Sequence, residues 1–307
     1  MTPSVAGTLL PVFLVIALGA GVRRFALPGG EFWAGAERLT YYVLFPALLF
    51  RSTATIALDV RDLWPFVAAA YAAIGVMAAS LLLLRPWLAS GPAAFTSVFQ
   101  GGVRWNSYIA LSVALAFFGQ EGLALGTVFI GVLIPFVNLL SVAVLVRHAG
   151  PRGAGTGRVL SELLRNPLVL ACFAGLAVNA SGAGLPPVLS QLLSIVGAAA
   201  LPVGLMAVGA AMKAASLGGA VRPVFAGTVA RLLVMPGLMW GACHVVGVEG
   251  LPRTIAVLFA AVPGSPAAFI LAKQLGGDAE LMAGIVTVQV LVSFVTLPAV
   301  MALAGGA

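Results

Sequence analysis

Charge is scarce in this sequence. Only 8% of its 307 residues are Asp, Glu, Lys or Arg, against roughly 25% in soluble domains. Hydrophobic residues make up 61%, and the mean hydropathy is +1.12. A soluble core could not absorb so much apolar side chain, because too little polar surface would remain to cover it; lipid as solvent removes the conflict. Long polar stretches are also missing apart from Arg147 to Arg165, so no soluble domain fits anywhere. Short alternating segments are absent, which argues against a β-barrel. Cysteine is limited to Cys172 and Cys243, both inside apolar runs, where the reading is a buried thiol rather than a disulfide or metal ligand. The two histidines, His148 and His244, have no partner at metal-ligand or catalytic spacing. There is no Walker A motif, no His-Glu-x-x-His, no Gly-x-Ser-x-Gly and no Cys-x-x-Cys. These absences exclude ATP-driven transport by this chain alone and leave an enzyme without its catalytic set. No cofactor and no metal are expected.

What the chain has is apolar runs long enough to cross roughly 30 Å of hydrocarbon. They lie at about 5–26, 37–57, 63–84, 93–118, 122–146, 166–181, 187–212, 223–247, 252–274 and 280–304. The predicted fold class is therefore an all-α membrane protein of about ten spans. The first run lacks a basic n-region and reads as a retained helix rather than a cleaved signal. The 37 glycines and 19 prolines are tolerated in membrane helices that pack closely and carry breaks.

The net charge of +7 does not point to nucleic acid, because the basic residues sit singly or in small clusters between apolar runs. With the N-terminus outside, the inner connectors hold eleven: Arg23, Arg24, Arg38, Arg85, Arg147, Arg152, Arg158, Arg165, Lys213, Arg222 and Lys273. The outer ones hold three, Arg51, Arg61 and Arg253. The positive-inside rule then places both termini outside a cell (inner or plasma) membrane.

An internal repeat agrees with this count. Gly126, Val128, Val132, Leu133, Phe136 and Val137 recur as Gly284, Val286, Val290, Leu291, Phe294 and Val295, at a constant offset of 158 residues. The second run around Pro46 echoes the seventh around Pro202 at an offset of 156. The expected organisation is a first five-helix repeat over 1–147, a basic cytoplasmic connector over 148–165 and a second, inverted repeat over 166–307. Five spans per half force opposite orientations, the inverted-repeat design of secondary transporters.

Such carriers bind substrate where helices of both halves are interrupted near the midplane. The fourth run contains Gln100, Gly101, Gly102, Arg104, Asn106 and Ser107. Arg104 lies about 16 Å from the inner end at 1.5 Å per residue, so its charge needs protein, water or ligand. The ninth run contains Pro263-Gly264-Ser265-Pro266, whose two prolines remove backbone donors and oppose a regular helix. The candidate helix breaks are thus Gly101, Gly102, Pro263 and Pro266. Candidate substrate-binding residues are Arg104, Asn106, Ser107, Gly264 and Ser265, because a half-helix start offers N–H groups to a carboxylate. Gln100, Gln289 and Arg231 are candidates for the pathway or an ion. Against these stand plainer readings: close packing at Gly101-Gly102, interhelical bonding at Asn106, packing at Gln289 and Asn138, snorkelling of Arg231 to the inner end, and kinks at Pro46, Pro135, Pro202, Pro236 and Pro298.

The sequence resembles the auxin efflux carrier family, particularly its prokaryotic members. The resemblance rests on Pro11-Val12-Phe13-Leu14 with Arg23-Arg24, on Glu37 to Phe50, and on Arg165-Asn166-Pro167-Leu168. It continues through Ala200 to Leu205 with Gly209, and Pro263 to Ala268 with Ala272-Lys273 and Asp278. The resemblance implies ten helices in two inverted repeats, similar in architecture to the sodium–bile acid symporters. The fourth and ninth helices would be broken and crossing, with spans 1, 2, 6 and 7 as a scaffold. It also implies an organic anion as substrate, such as auxin or a dicarboxylate, and a substrate-facing Asn at Asn106. The family's Gly-x-Pro falls on Leu111 and Val113, so its proline is missing here. The expected function is secondary transport of a small organic carboxylate by alternating access, in the direction of efflux. The alternatives are a sodium-coupled symporter of bile-acid type and a non-transporting membrane receptor. The expected partners are the carboxylate and membrane lipid, with a homodimer and a sodium coupling ion left open.

Overall fold

A computed structural model describes residues 5–55, 63–89, 91–149, 166–212 and 221–304. Every element among them is helical. In chain order these are α1 (Val5–Phe25), α2 (Gly30–Leu39), α3 (Phe45–Ala54), α4 (Trp64–Leu83), α5 (Arg85–Leu88), α6 (Pro92–Val103) and α7 (Ser107–His148). They are followed by α8 (Pro167–Ser181), α9 (Pro187–Ala198), α10 (Ala200–Ala211), α11 (Val221–Val229), α12 (Met235–Val246), α13 (Gly250–Ala261), α14 (Ala267–Gln274) and α15 (Ala279–Leu303). Among the described residues six helical stretches are long and apolar enough to cross a membrane: Gly7–Phe25, Trp64–Leu83, Pro92–His148, Pro187–Ala211, Val221–Val246 and Ala279–Leu303. Most of the basic connector expected over 148–165 lies outside the described residues, as do Arg61 and Lys213.

Prolines set much of the local geometry. Two π-helical segments, Thr40–Leu44 and Ala230–Val234, each precede a helix that carries proline in its first turn, Pro46 and Pro236. Proline lacks the N–H and collides with the carbonyl four residues back. An extra residue in the preceding turn accommodates it without ending the span. Gly119, at φ 59 and ψ −146, turns the chain inside α7 in a conformation closed to most side chains.

The chain forms two compact units, and each draws on both halves of the sequence. The first comprises Met1–Asp62, Tyr108–Ile134 and Glu162–Ala211. Its helices approach through glycine: a Cβ on Gly19 or Gly209 would collide with the backbone of Met206 or Ile16, and one on Gly175 with Thr53 and the Phe50 carbonyl. Small residues let membrane helices touch along their backbones, where dispersion replaces the hydrophobic effect. Arg23 donates from Nη1 to the carbonyl of Ala210, near the end of α10.

The second unit comprises Leu63–Ser107, Pro135–Ser161 and Met212–Ala307. Its core is apolar, with Phe66, Ile74, Phe95, Phe99, Phe259 and Ile285 buried, yet Gln100, Arg231 and Gln289 are also fully buried. All the candidate site residues named above fall in this unit.

Candidate functional site

Two interruptions of helix face each other in the second unit. The first separates α6 from α7 at Arg104, Trp105 and Asn106, and the second separates α13 from α14 over residues 262–266. The backbone N–H of Asn106 donates to the carbonyl of Pro263 at 2.8 Å, joining the two directly. Asn106 is 1% exposed.

The first interruption does not lie at Gly101-Gly102. The helix runs through both glycines to Val103. A Cβ on Gly101 would meet the Ile285 side chain at 2.8 Å, and one on Gly102 would meet Leu81 at 2.8 Å. Their role is close packing, and the chain leaves the helix three residues later, where Arg104 is already extended at φ −89 and ψ 140. The carbonyl of Gly101 would bond the N–H of residue 105 in a continuing helix, and that N–H now lies beyond the helix end. Gln289 fills the vacancy. Its Nε2 donates to Gly101 O at 3.0 Å and to Gly227 O at 2.9 Å, and its Oε1 accepts from the Gly264 N–H at 2.8 Å. One buried side chain thus binds backbone from both interruptions and from α11.

The second interruption follows from its prolines. In a helix the Phe259 carbonyl would accept from residue 263 and the Val262 carbonyl from residue 266, and both positions are proline without an N–H. Those two oxygens are taken by Arg231. Its Nε donates to Val262 O at 2.8 Å, and its Nη2 donates to Phe259 O. Arg231 is 0% exposed, so the sequence-based reading of a snorkelling arginine is corrected. The guanidinium turns inward because the end of α13 offers negative dipole and two carbonyls that Pro263 and Pro266 cannot donate to.

Arg104, half-buried, donates from Nη1 to Asn138 Oδ1 at 2.8 Å. Ser265 is half-buried, and its Oγ accepts from the Ala267 N–H at 3.3 Å at the start of α14. Ser107 is half-buried and opens α7. Both Gln100 side-chain polar atoms are buried without a hydrogen-bond partner among the described residues. The structure therefore brings Asn106, Pro263, Gly264, Gly101 and Gln289 together, with Arg231 bonded to the second interruption from behind. Sequence reasoning missed Asn138 as the partner of Arg104, and missed the bonds of Gln289 and Arg231. The available signal for Arg231 was the pair of prolines that strands two carbonyls.

A cavity of about 430 Å³ in the same unit is lined by Val224, Phe225, Leu232, Val288 and Val292, with Thr228 and Thr296 as its polar side chains. None of the candidate site residues lines it, and its apolar wall suits an acyl chain rather than an anion. Among the described residues no group of His, Cys, Asp and Glu is placed to hold a metal ion.

Residues 155–301 match the family model described as membrane transport protein, that of the auxin efflux carriers the sequence resembles. The chain is also similar to a Rhizobium meliloti (strain 1021) protein named "Putative malonate transporter". The two are 22% identical over 303 residues, covering 95% of this chain and 93% of that protein.

Proposed function

We propose, from the premise that a polytopic chain matching the auxin efflux carrier family over its second half is a membrane transporter and not an enzyme, that it carries a small carboxylate by alternating access. The observation that carries this reading is the meeting of two helix interruptions through Asn106 and Pro263. Unwound backbone of this kind puts N–H groups and helix-start dipoles where a carboxylate can use them. Arg104, Asn106, Ser107, Gly264 and Ser265 are the proposed binding residues, with Gln289 holding the backbone around them. The relative named for malonate favours a dicarboxylate.

Ten spans in two inverted repeats are the proposed architecture. Helices cover all ten apolar runs read from the sequence, counting each interrupted pair as one span. Helix starts recur at matching offsets: Gly30 with Pro187 at 157 residues, and Pro92 with Gly250 at 158. Asn106 at the first interruption and Gly264 at the second are also 158 apart, and the positive-φ glycines Gly119 and Gly276 are 157 apart. On this reading α6 with the start of α7, and α13 with α14, are the crossing broken helices.

The deep spans hold no Asp, Glu or His for proton coupling. Anion exit is driven instead by an inside-negative potential, worth roughly 2.3 kcal/mol per charge per 100 mV. A thermal-shift series tests the site. Malonate and related small carboxylates are expected to raise the melting midpoint of the purified protein, and Asn106→Ala is expected to abolish that rise. An Asn106→Ala protein that keeps the full malonate shift would contradict the assignment.

A further inference from the structure

Arg231 carries a permanent charge within the apolar stretch Val221–Val246 and is wholly buried. Its described partners are the carbonyls of Val262 and Phe259, and no carboxylate is among them. Its Nη1 is also buried and has no acceptor among the described residues. A buried charge is costly unless its surroundings compensate it. Here compensation comes from the C-terminal end of α13, with its partial negative charge and two carbonyl oxygens whose helical N–H donors Pro263 and Pro266 cannot supply. Carbonyls at the C-terminal end of a broken membrane helix are also the ligands that carriers give to sodium. Both kinds of cation need oxygen lone pairs to replace water, and two like charges at the same oxygens would repel each other.

We propose that the guanidinium of Arg231 is a tethered substitute for a coupling cation. It fills a cation position built by the second interruption, and substrate binding therefore needs no sodium. The inference rests on the carrier reading for its substrate and its coupling; the cation position itself is a property of Arg231, Phe259 and Val262.

Purified Arg231→Gln, Arg231→Ala and Arg231→Lys proteins, melted in sodium chloride and in choline chloride at equal ionic strength, test it without any substrate. The wild type and Arg231→Lys are expected to melt alike in both salts, because a tethered cation is present. Arg231→Gln is expected to melt about 5 °C higher in saturating sodium than in choline, since a ligand that binds only the folded state stabilises it. Millimolar guanidinium is expected to raise the midpoint of Arg231→Ala and to leave the wild type unchanged. Neutral variants indifferent to sodium and guanidinium, or unfolded in every salt while Arg231→Lys folds, would overturn the proposal and leave the charge a structural cap. Malonate flux by the wild type, measured alongside, separates the two ideas. Flux without any cation effect in the variants defeats the tethered-cation inference alone. A cation effect without flux defeats the carrier reading alone.

Discussion

Within each unit the helices are joined by a different leading device. In the first, Gly19, Gly175 and Gly209 let helices approach until backbone meets backbone, leaving no room for a Cβ. In the second, glutamine and arginine side chains reach into the helices and bond stranded carbonyls. Even the same chemistry differs between them. Arg23 bonds the Ala210 carbonyl from a half-buried position, whereas Arg231 bonds the end of α13 with no exposure at all. Close packing of this kind joins helices with little polar side chain. Interrupted helices need polar side chains to satisfy the groups they free, and that requirement puts buried charge and amide where a ligand can be handled.

Mutations can break this contrast in graded steps. The largest effect is expected at Gly209 in the first unit. Gly209→Leu drives a side chain into the Ile16 backbone and should cost at least about 4 kcal/mol, read as loss of a monodisperse peak in detergent. Next comes Gln289→Leu, which leaves Gly264 N–H, Gly101 O and Gly227 O without this partner. It should cost about 2–4 kcal/mol, seen as a lower melting midpoint. Arg104→Ala and Asn138→Ala remove the two ends of one bond. Each should cost about 1–2 kcal/mol, and the double variant should be less destabilised than the sum, which a double-mutant cycle measures. The smallest effect is expected at Arg23→Ala, below about 1 kcal/mol, because the bond from half-buried Arg23 already competes with water in the wild type. A penalty at Arg23 equal to that at Arg231 would erase the distinction between the units.

The sequence made the helices and one interruption legible. Apolar runs report span positions because lipid demands them, and Pro263 with Pro266 cannot continue a helix whatever surrounds them. The other interruption was misplaced. Gly101 and Gly102 weaken a helix locally, but at these positions their missing side chains make room for Ile285 and Leu81. The helix ends at Arg104–Asn106, a stretch with neither glycine nor proline, and there the Asn106 N–H bonds Pro263 O across 157 residues of sequence. Such a break is specified by its partner and cannot be read locally. Arg231 was misread for a related reason. Depth along a helix gives the distance to water and says nothing of which face the side chain takes, so the stranded carbonyls that hold it became visible only in the fold. The two compact units were equally hidden, since each gathers segments from both sequence halves.

The most direct measurement is counterflow of labelled malonate in proteoliposomes, comparing the wild type with a folded Asn106→Ala protein. The wild type is expected to accumulate malonate independently of sodium, and the variant to lose at least tenfold (about 1.4 kcal/mol). Equal accumulation by both proteins, or none by a folded wild type offered malonate and related carboxylates, would contradict it.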